Sequence, residues 1–188
     1  MHYLIGGKAD ASVGDPPIAG TRIIADGDMV VMEGPWALGA SRIARVDSDA
    51  ALAAMRTQAM QGAFAVEGLA EAGEGEAFVV GAHRMRDVAH FRPYAERVGD
   101  VVQGFGGRFL ARAGRVTPIA GAFVPDRAVV IEFPRADDAV AFYTSDVYAP
   151  LLKIRFAATD PRFVVLARSG EVPARARDAA QAYLGRWI

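Results

Sequence analysis

The sequence predicts an α+β chain made of two related units, one shortened and one complete, followed by a C-terminal helix. Two self-similarities and one periodicity predict it. Residues 106–135 read GGRFLARAGRVTPIAGAFVPDRAVVIEFPR, the most strand-like stretch of the chain, and residues 20–47 are a blurred copy of it. Setting Gly34 on Gly121 puts Trp36 on Phe123 and Val46 on Phe133 without a gap, and brings Arg22 within one residue of Arg108. The run Tyr3-Leu4-Ile5-Gly6-Gly7 recurs as Phe78-Val79-Val80-Gly81-Ala82, with Lys8 opposite His83. Repetition at two places argues for an internal duplication of about 80 residues. The periodicity is that of Val88, Phe91, Ala95, Val98 and Val102, whose alternating spacing of three and four puts them on one helix face.

Composition bounds the possibilities. The chain has 188 residues, 52% apolar and 23% charged, which describes an ordered protein able to bury a core. A net charge of −1 with no Lys/Arg block lacks the footprint of nucleic-acid binding. Without cysteine there is no disulfide framework, thiolate nucleophile or sulfur-based zinc site. The start, MHYLIGGKAD, is not a secretory signal, and no run approaches the roughly 20 apolar residues of a membrane span. A soluble cytoplasmic protein is expected.

The elements follow in order. Residues 3–7 read as a first strand, and Pro16-Pro17 after Gly14-Asp15 excludes a helix before Gly20. Residues 21–25 and 29–33 read as two strands parted by an Asp26-Gly27-Asp28 turn, and 41–46 as a third. Ser48 or Asp49 caps a helix carrying Leu52, Met55 and Ala59, which Gly62 ends before a short strand at 64–66. Residues 71–76 (EAGEGE) are the linker. In the second unit, residues 77–83 form a strand and Asp87 caps the long helix, which Pro93 should bend or delay. Glycines 104, 106 and 107 release the chain into a strand over 108–113; a strand over 127–133 comes next. Helices over 136–143 and 146–157 follow, the second starting late or bending at Pro150, and a strand over 162–167 closes the unit. Strand, helix, strand, strand, helix, strand is the split βαβ, ferredoxin-like order. The first unit has that order without its first helix. The expected divisions are 1–74, 75–172 and 173–188. In the last, Ala176, Ala180, Tyr183 and Trp187 share a helix face suited to the sheet surface that the missing helix leaves bare, or to a partner chain.

At Gly106-Gly107-Arg108, Glu132-Phe133-Pro134, Ser145-Asp146-x-Tyr148 and Arg155 the second unit resembles a bacterial family of small domains of unknown function. That family belongs to the dimeric α/β-barrel superfamily, and the resemblance covers about residues 79–166. Its members usually show Glu-Gly-Trp before the third strand. Here that triplet is Gly121-Ala122-Phe123, while the first unit keeps Glu33-Gly34-Pro35-Trp36. The first unit resembles a degenerate YCII-related repeat, without a histidine placed for that branch's His–Asp pair. The resemblance implies two ferredoxin-like sheets facing each other as a barrel, which a tandem chain forms alone as a pseudo-dimer. The superfamily includes cofactor-free monooxygenases, cyclases, isomerases and haem-degrading enzymes, so the fold selects no chemistry.

Strand alternation puts Val129, Ile131 and Phe133 under the helices and Val130 and Glu132 in the barrel interior, where Arg112 is the natural partner of Glu132. Asp26 and Arg45 are the counterparts in the first unit. One reading is a charged barrel floor with Glu132 as general base; the other is a pair of cross-strand ion pairs near the sheet edge. His83, at a strand end, is a proton-transfer candidate or an exposed loop residue. Tyr94, Tyr143 and Tyr148 line a pocket or pack in the core. Arg155 holds a substrate carboxylate or pairs with Asp146 or Glu132. Trp36 serves rim packing or a stacking platform. The three histidines have no metal-ligand spacing.

The expected function is that of a cofactor-independent isomerase, cyclase or monooxygenase acting in an apolar barrel cavity. Glu132, His83 and Arg155 are its catalytic candidates, and Arg112, Tyr94, Tyr143, Tyr148 and Trp36 its substrate-binding ones. A small molecule is the expected partner, with neither cofactor nor metal, in a monomeric pseudo-dimer or a homodimer. The alternatives are a non-catalytic ligand-binding or oligomerisation module, and a haem protein using His90 or His83.

Overall fold

A computed structural model describes residues 1–7, 19–34, 40–56, 62–121 and 123–184. Lys8, Pro16, Pro17, Trp36, Ala59 and Trp187 lie outside the described residues. The described elements are β1 (His2–Gly7), β2 (Thr21–Glu33), β3 (Ala40–Val46), α1 (Asp49–Met55), β4 (Ala63–Glu67), β5 (Ala77–Met85), α2 (Val88–Gly104), β6 (Arg108–Arg112), β7 (Val116–Ala120), β8 (Arg127–Phe133), α3 (Ala136–Thr144), α4 (Ala149–Ala158), β9 (Thr159–Ala167) and α5 (Ala174–Leu184). The nine strands form one antiparallel sheet in the order β6-β8-β5-β9-β2-β3-β1-β4-β7. Its first and last strands are consecutive in the chain, joined only by residues 113–115, so the sheet curls into a barrel-like wall.

β2 is the strand that unites the two ends of the chain. Residues 21–28 pair with β3, and residues 29–33 pair with β9. The Asp26-Gly27-Asp28 turn expected from sequence is therefore absent. Gly27 is where the strand changes partner and passes the Gly170 backbone. A Cβ there would fall on the Gly170 carbonyl oxygen and 2.5 Å from its Cα. Asp28 N–H donates to that same carbonyl at 3.0 Å. Glycine serves close approach here and not chain reversal.

The helix starts follow their caps. Ser48 accepts from Ala51 N–H at 3.1 Å, and Asp87 accepts from His90 N–H at 2.9 Å. α2 starts directly after Asp87 and runs through Pro93 to Gly104 without the expected delay, while α4 places Pro150 in its first turn, where the missing N–H costs nothing. Val88, predicted on the buried stripe of α2, is exposed, and Tyr94 takes its place beside Phe91, Val98 and Val102.

Two apolar layers result. Under α2, α3 and α4, the sheet contributes Val79, Ile131, Phe133, Phe163 and Val165. On the concave side, Tyr3, Phe64, Phe78, Leu110, Val130 and Leu166 pack together, filling space expected from sequence to be a substrate cavity. A smaller cluster joins α1 to the outer face of β1, β3 and β4 through Leu4, Val46, Leu52 and Met55. α5 does not cover that outer face. Its buried residues Ala176, Ala180 and Tyr183 join the α3–α4 layer, against α3 and the end of β2. The small alanines on α5 and α3 allow close approach, which the sequence pattern of one helix could not specify.

Candidate functional site

The site begins with an irregularity in β2. Val30 faces Val165 and Val31 faces Val164, but the next pair is Glu33 with Phe163, so Met32 is an extra residue. A bulge of this kind turns the following side chain to the other face. Simple alternation would place Glu33 with Val31 on the concave side. The bulge instead brings it among the helices, beside Tyr143 of α3 and Arg155 of α4.

Glu33 and Arg155 form a buried ion pair. The side chains are 3% and 0% exposed, so almost no water screens the pair. Arg155 Nη2 and the Tyr143 hydroxyl both donate to the same oxygen, Glu33 Oε1. Glu33 Oε2 and Arg155 Nε and Nη1 have no hydrogen-bond partner among the described residues. Rings enclose the guanidinium: its Cζ lies 5.0 Å from the centre of Phe163 and 5.8 Å from those of Tyr94 and Tyr148. The Tyr94 and Tyr148 hydroxyls share a hydrogen bond of 3.2 Å.

This arrangement sets protonation. Burial, then the Glu33 charge, holds the Tyr143 phenol far above its ordinary pKa, so it is a hydrogen-bond donor at any physiological pH. Burial likewise raises Tyr94 and Tyr148. Burial opposes the charge of Arg155, but the tyrosines and Glu33 around it outweigh that effect and keep it cationic.

Glu33 and Tyr143 stand in the wall of a cleft of about 570 Å³, the size of a small-molecule site. Met32, Leu152, Phe156 and Pro161 give it apolar walls, and Tyr183 and Leu184 of α5 form one side. Arg86 and Asp160 stand at its polar end, where Arg86 is fixed by donating to the Thr159 carbonyl at 2.6 Å.

The sequence-derived candidates divide among three places. Arg155, Tyr143, Tyr148 and Tyr94 are gathered in this cluster. Arg155 pairs with neither Asp146 nor Glu132.

Glu132 is elsewhere, on the concave face. Its carboxylate accepts from Gly73 N–H at 3.1 Å, Gly75 N–H at 3.2 Å, Arg108 Nε at 2.8 Å and Arg168 Nη2 at 3.3 Å. Those donors hold residues 73–75 against the sheet, so the expected linker is pinned. A Cβ at Gly75 would collide with Glu132 Cγ and come within 2.6 Å of the Phe133 carbonyl oxygen. Arg112 does not reach Glu132. A bulge at Leu110 puts Leu110 and Ala111 both in the concave cluster and returns Arg112 to the helix side. Arg108 is the cross-strand neighbour of Glu132 instead. The Asp26–Arg45 pair fails too: the strand register sets Arg45 opposite Arg22 and Asp26 opposite Arg42, its partner at 3.0 Å. Arg45 pairs with Asp47 and Glu71.

His83 is neither exposed nor in a loop. It is 2% exposed beneath α2, edge-on to Phe91 with ring centres 6.2 Å apart. Burial first, then the charge of Arg155, pushes its pKa down to about 3 from 6.5. The folded protein keeps it neutral while the unfolded chain takes up a proton below about 6.5. Its contribution to stability is complete above that pH and is lost as the pH falls towards 3, by about 1.4 kcal/mol per unit. In denaturation series between pH 7 and 4, the stability gap between wild type and His83→Gln therefore shifts in favour of the variant as the pH falls. A gap independent of pH overturns this assignment.

Glu33 was not among the candidates, although the sequence showed it in the retained Glu33-Gly34-Pro35-Trp36. Trp36 itself lies outside the described residues.

Residues 76–169 match the model of a family described as a domain of unknown function, DUF1330. The chain belongs to this family. The DUF1330 match begins just before β5 and ends just after β9, so it contains Tyr94, Tyr143, Tyr148 and Arg155 but not Glu33. No curated protein matches the chain. Among solved structures, the chain is similar to a putative monooxygenase from Lactobacillus acidophilus NCFM, with 9% identity and a TM-score of 0.46 over 88% of this chain and 92% of that one. Among the described residues no helix is long and apolar enough to cross a membrane, and no three His, Asp or Glu side chains gather as a metal site.

Proposed function

We propose that this protein is a small-molecule enzyme that works by proton transfer in the Glu33–Tyr143 cleft. The observation that carries the reading is Glu33 itself: a buried carboxylate whose Oε1 is taken by Arg155 and Tyr143, and whose Oε2 has no partner among the described residues. Oε2, closed off in the free protein, accepts a proton or a donor group from a substrate that displaces the cleft wall beside it. Tyr143 directs its O–H at the carboxylate and thereby fixes its orientation. The apolar walls around Leu152 and Phe156 suit a substrate with a hydrophobic body. Isomerisation and cyclisation need only such a relay. Glu132, saturated by four donors, and His83, buried and neutral, are left out of the chemistry. The haem reading is dropped because His83 is buried under α2 beside a cavity far too small for a porphyrin, and His90 is exposed on its outer side.

The same reading includes an internal duplication. Strands β2-β3-β1-β4 and β6-β8-β5-β9 run through their units in the same relative order, and β2 and β7 each extend to the other unit. The two units then meet as a pseudo-dimer with one site. The position equivalent to Glu33 is Ala120, and the seven residues from 56 to 62 are too few for a counterpart of the ten-residue α4. The site is composite: its carboxylate comes from the first unit, and its arginine and tyrosines come from the second.

Native mass spectrometry of freshly purified protein tests the reading. The expected result is one small molecule retained per chain. Incubated with that compound in D₂O, the wild type introduces deuterium, and Glu33→Gln does so at least about 100-fold more slowly. Equal exchange by both proteins, or retention of two copies per chain, overturns it.

A further inference from the structure

A second cavity lies beside Phe163, between α2 and the sheet, and the proton-transfer reading does not use it. Its volume, as space open to a water molecule, is about 20 Å³, room for one small ion. Most of its lining is apolar, but four polar side chains converge there: His83, Tyr94, Arg112 and Arg127.

The charges of that lining are unbalanced. Arg112 donates to the Ala95 carbonyl and lies with its Cζ 4.6 Å from the Phe109 ring centre. Arg127 lies 5.2 Å above the Phe91 ring and makes no hydrogen bond among the described residues. Neither guanidinium has a carboxylate within ion-pair distance among those residues. Each cation repels the other, and the nearby Arg155 charge adds to the positive potential at His83. His83 is buried, and its Nδ1 has no well-aligned hydrogen-bond partner among the described residues, only the adjacent Ala82 backbone. Buried nitrogen of that kind is costly to leave unmatched. Arg112 and Arg127 are themselves half-buried, so solvent ions reach them.

We propose that this cavity is a binding site for one small monovalent anion, held between the Arg112 and Arg127 guanidiniums with His83 Nδ1–H as a third donor. The volume admits a halide or a single carboxylate group and excludes anything with a bulky body. Planar guanidiniums suit either ion, and an enclosed, weakly screened pocket strengthens the attraction. The site stands apart from Glu33 and does not depend on the reaction proposed above.

Two measurements on the full chain test it. Thermal unfolding is followed at fixed ionic strength while sodium gluconate, whose anion is too large for the cavity, is replaced by sodium chloride or sodium formate. A saturable rise of about 5 °C in Tm is expected in chloride, formate or both, and its loss in Arg127→Gln. A crystal grown in bromide then shows an anomalous peak between Arg112 and Arg127. Equal Tm in all three salts, a rise that persists in Arg127→Gln, or a bromide crystal with no peak there overturns the proposal. The bromide result holds even if Arg127→Gln fails to fold.

Discussion

Arg155→Met destabilises the protein by about 3–5 kcal/mol, because Glu33 is left as a buried carboxylate without its cation. The size of the loss comes from burial. An exposed pair such as Arg92–Glu96 has water as an alternative partner and contributes little. Glu33 and Arg155 have no such alternative, with side chains 3% and 0% exposed. The pair is best tested as a cycle. Glu33→Gln removes the carboxylate charge and keeps an oxygen for Tyr143, so Arg155→Met costs less in its presence than in the wild type. Urea denaturation of the four proteins gives the coupling. A loss below about 1 kcal/mol for Arg155→Met, or additive effects in the double variant, rules out a tightly coupled pair.

Gly27→Ala is the second large effect, expected at about 3 kcal/mol. The new methyl collides with the carbonyl oxygen and Cα of Gly170, both backbone atoms that no side-chain rotation moves away. Gly104→Ala is the matched control, since a Cβ there meets nothing within 4 Å and lies at the end of α2. The position of Gly27 makes the effect directional. It is the point where β2 leaves β3 for β9, and the part of the strand beyond it carries Glu33. Hydrogen exchange should therefore quicken at Asp28 N–H and along residues 29–33 before it does in β5 and β8. Uniform quickening across the sheet contradicts a local crossing point.

Much of the secondary structure was legible because local chemistry decides it. Ser48 and Asp87 cap the helices they were expected to cap, and the apolar run at Phe78 is a strand buried on both faces. Tyr94, Tyr143, Tyr148 and Arg155, which surround or bind Glu33, are all candidates from sequence, although the sequence does not place them together. Side-chain facing is where alternation fails, at the bulges in β2 and β6. Alternation assumes a period of two, and each extra residue reverses the face of everything beyond it. Arg112 was thus assigned to the concave side with Glu132, and Glu33 to no site at all. No strand is expected from sequence at β7, although residues 116–120 align with 29–33, which read as a strand.

By itself, the sequence determined most of the strands and helices and the caps of α1 and α2, because these depend on neighbours within a few residues. Only the tertiary structure decided that Asp26-Gly27-Asp28 continues a strand, that α5 packs on α3, and that Glu33 meets Arg155. Each of those outcomes depends on backbone from distant parts of the chain, Gly170 against Gly27, α3 against α5 and Phe163 against the bulge at Met32, and no local pattern encodes such a meeting.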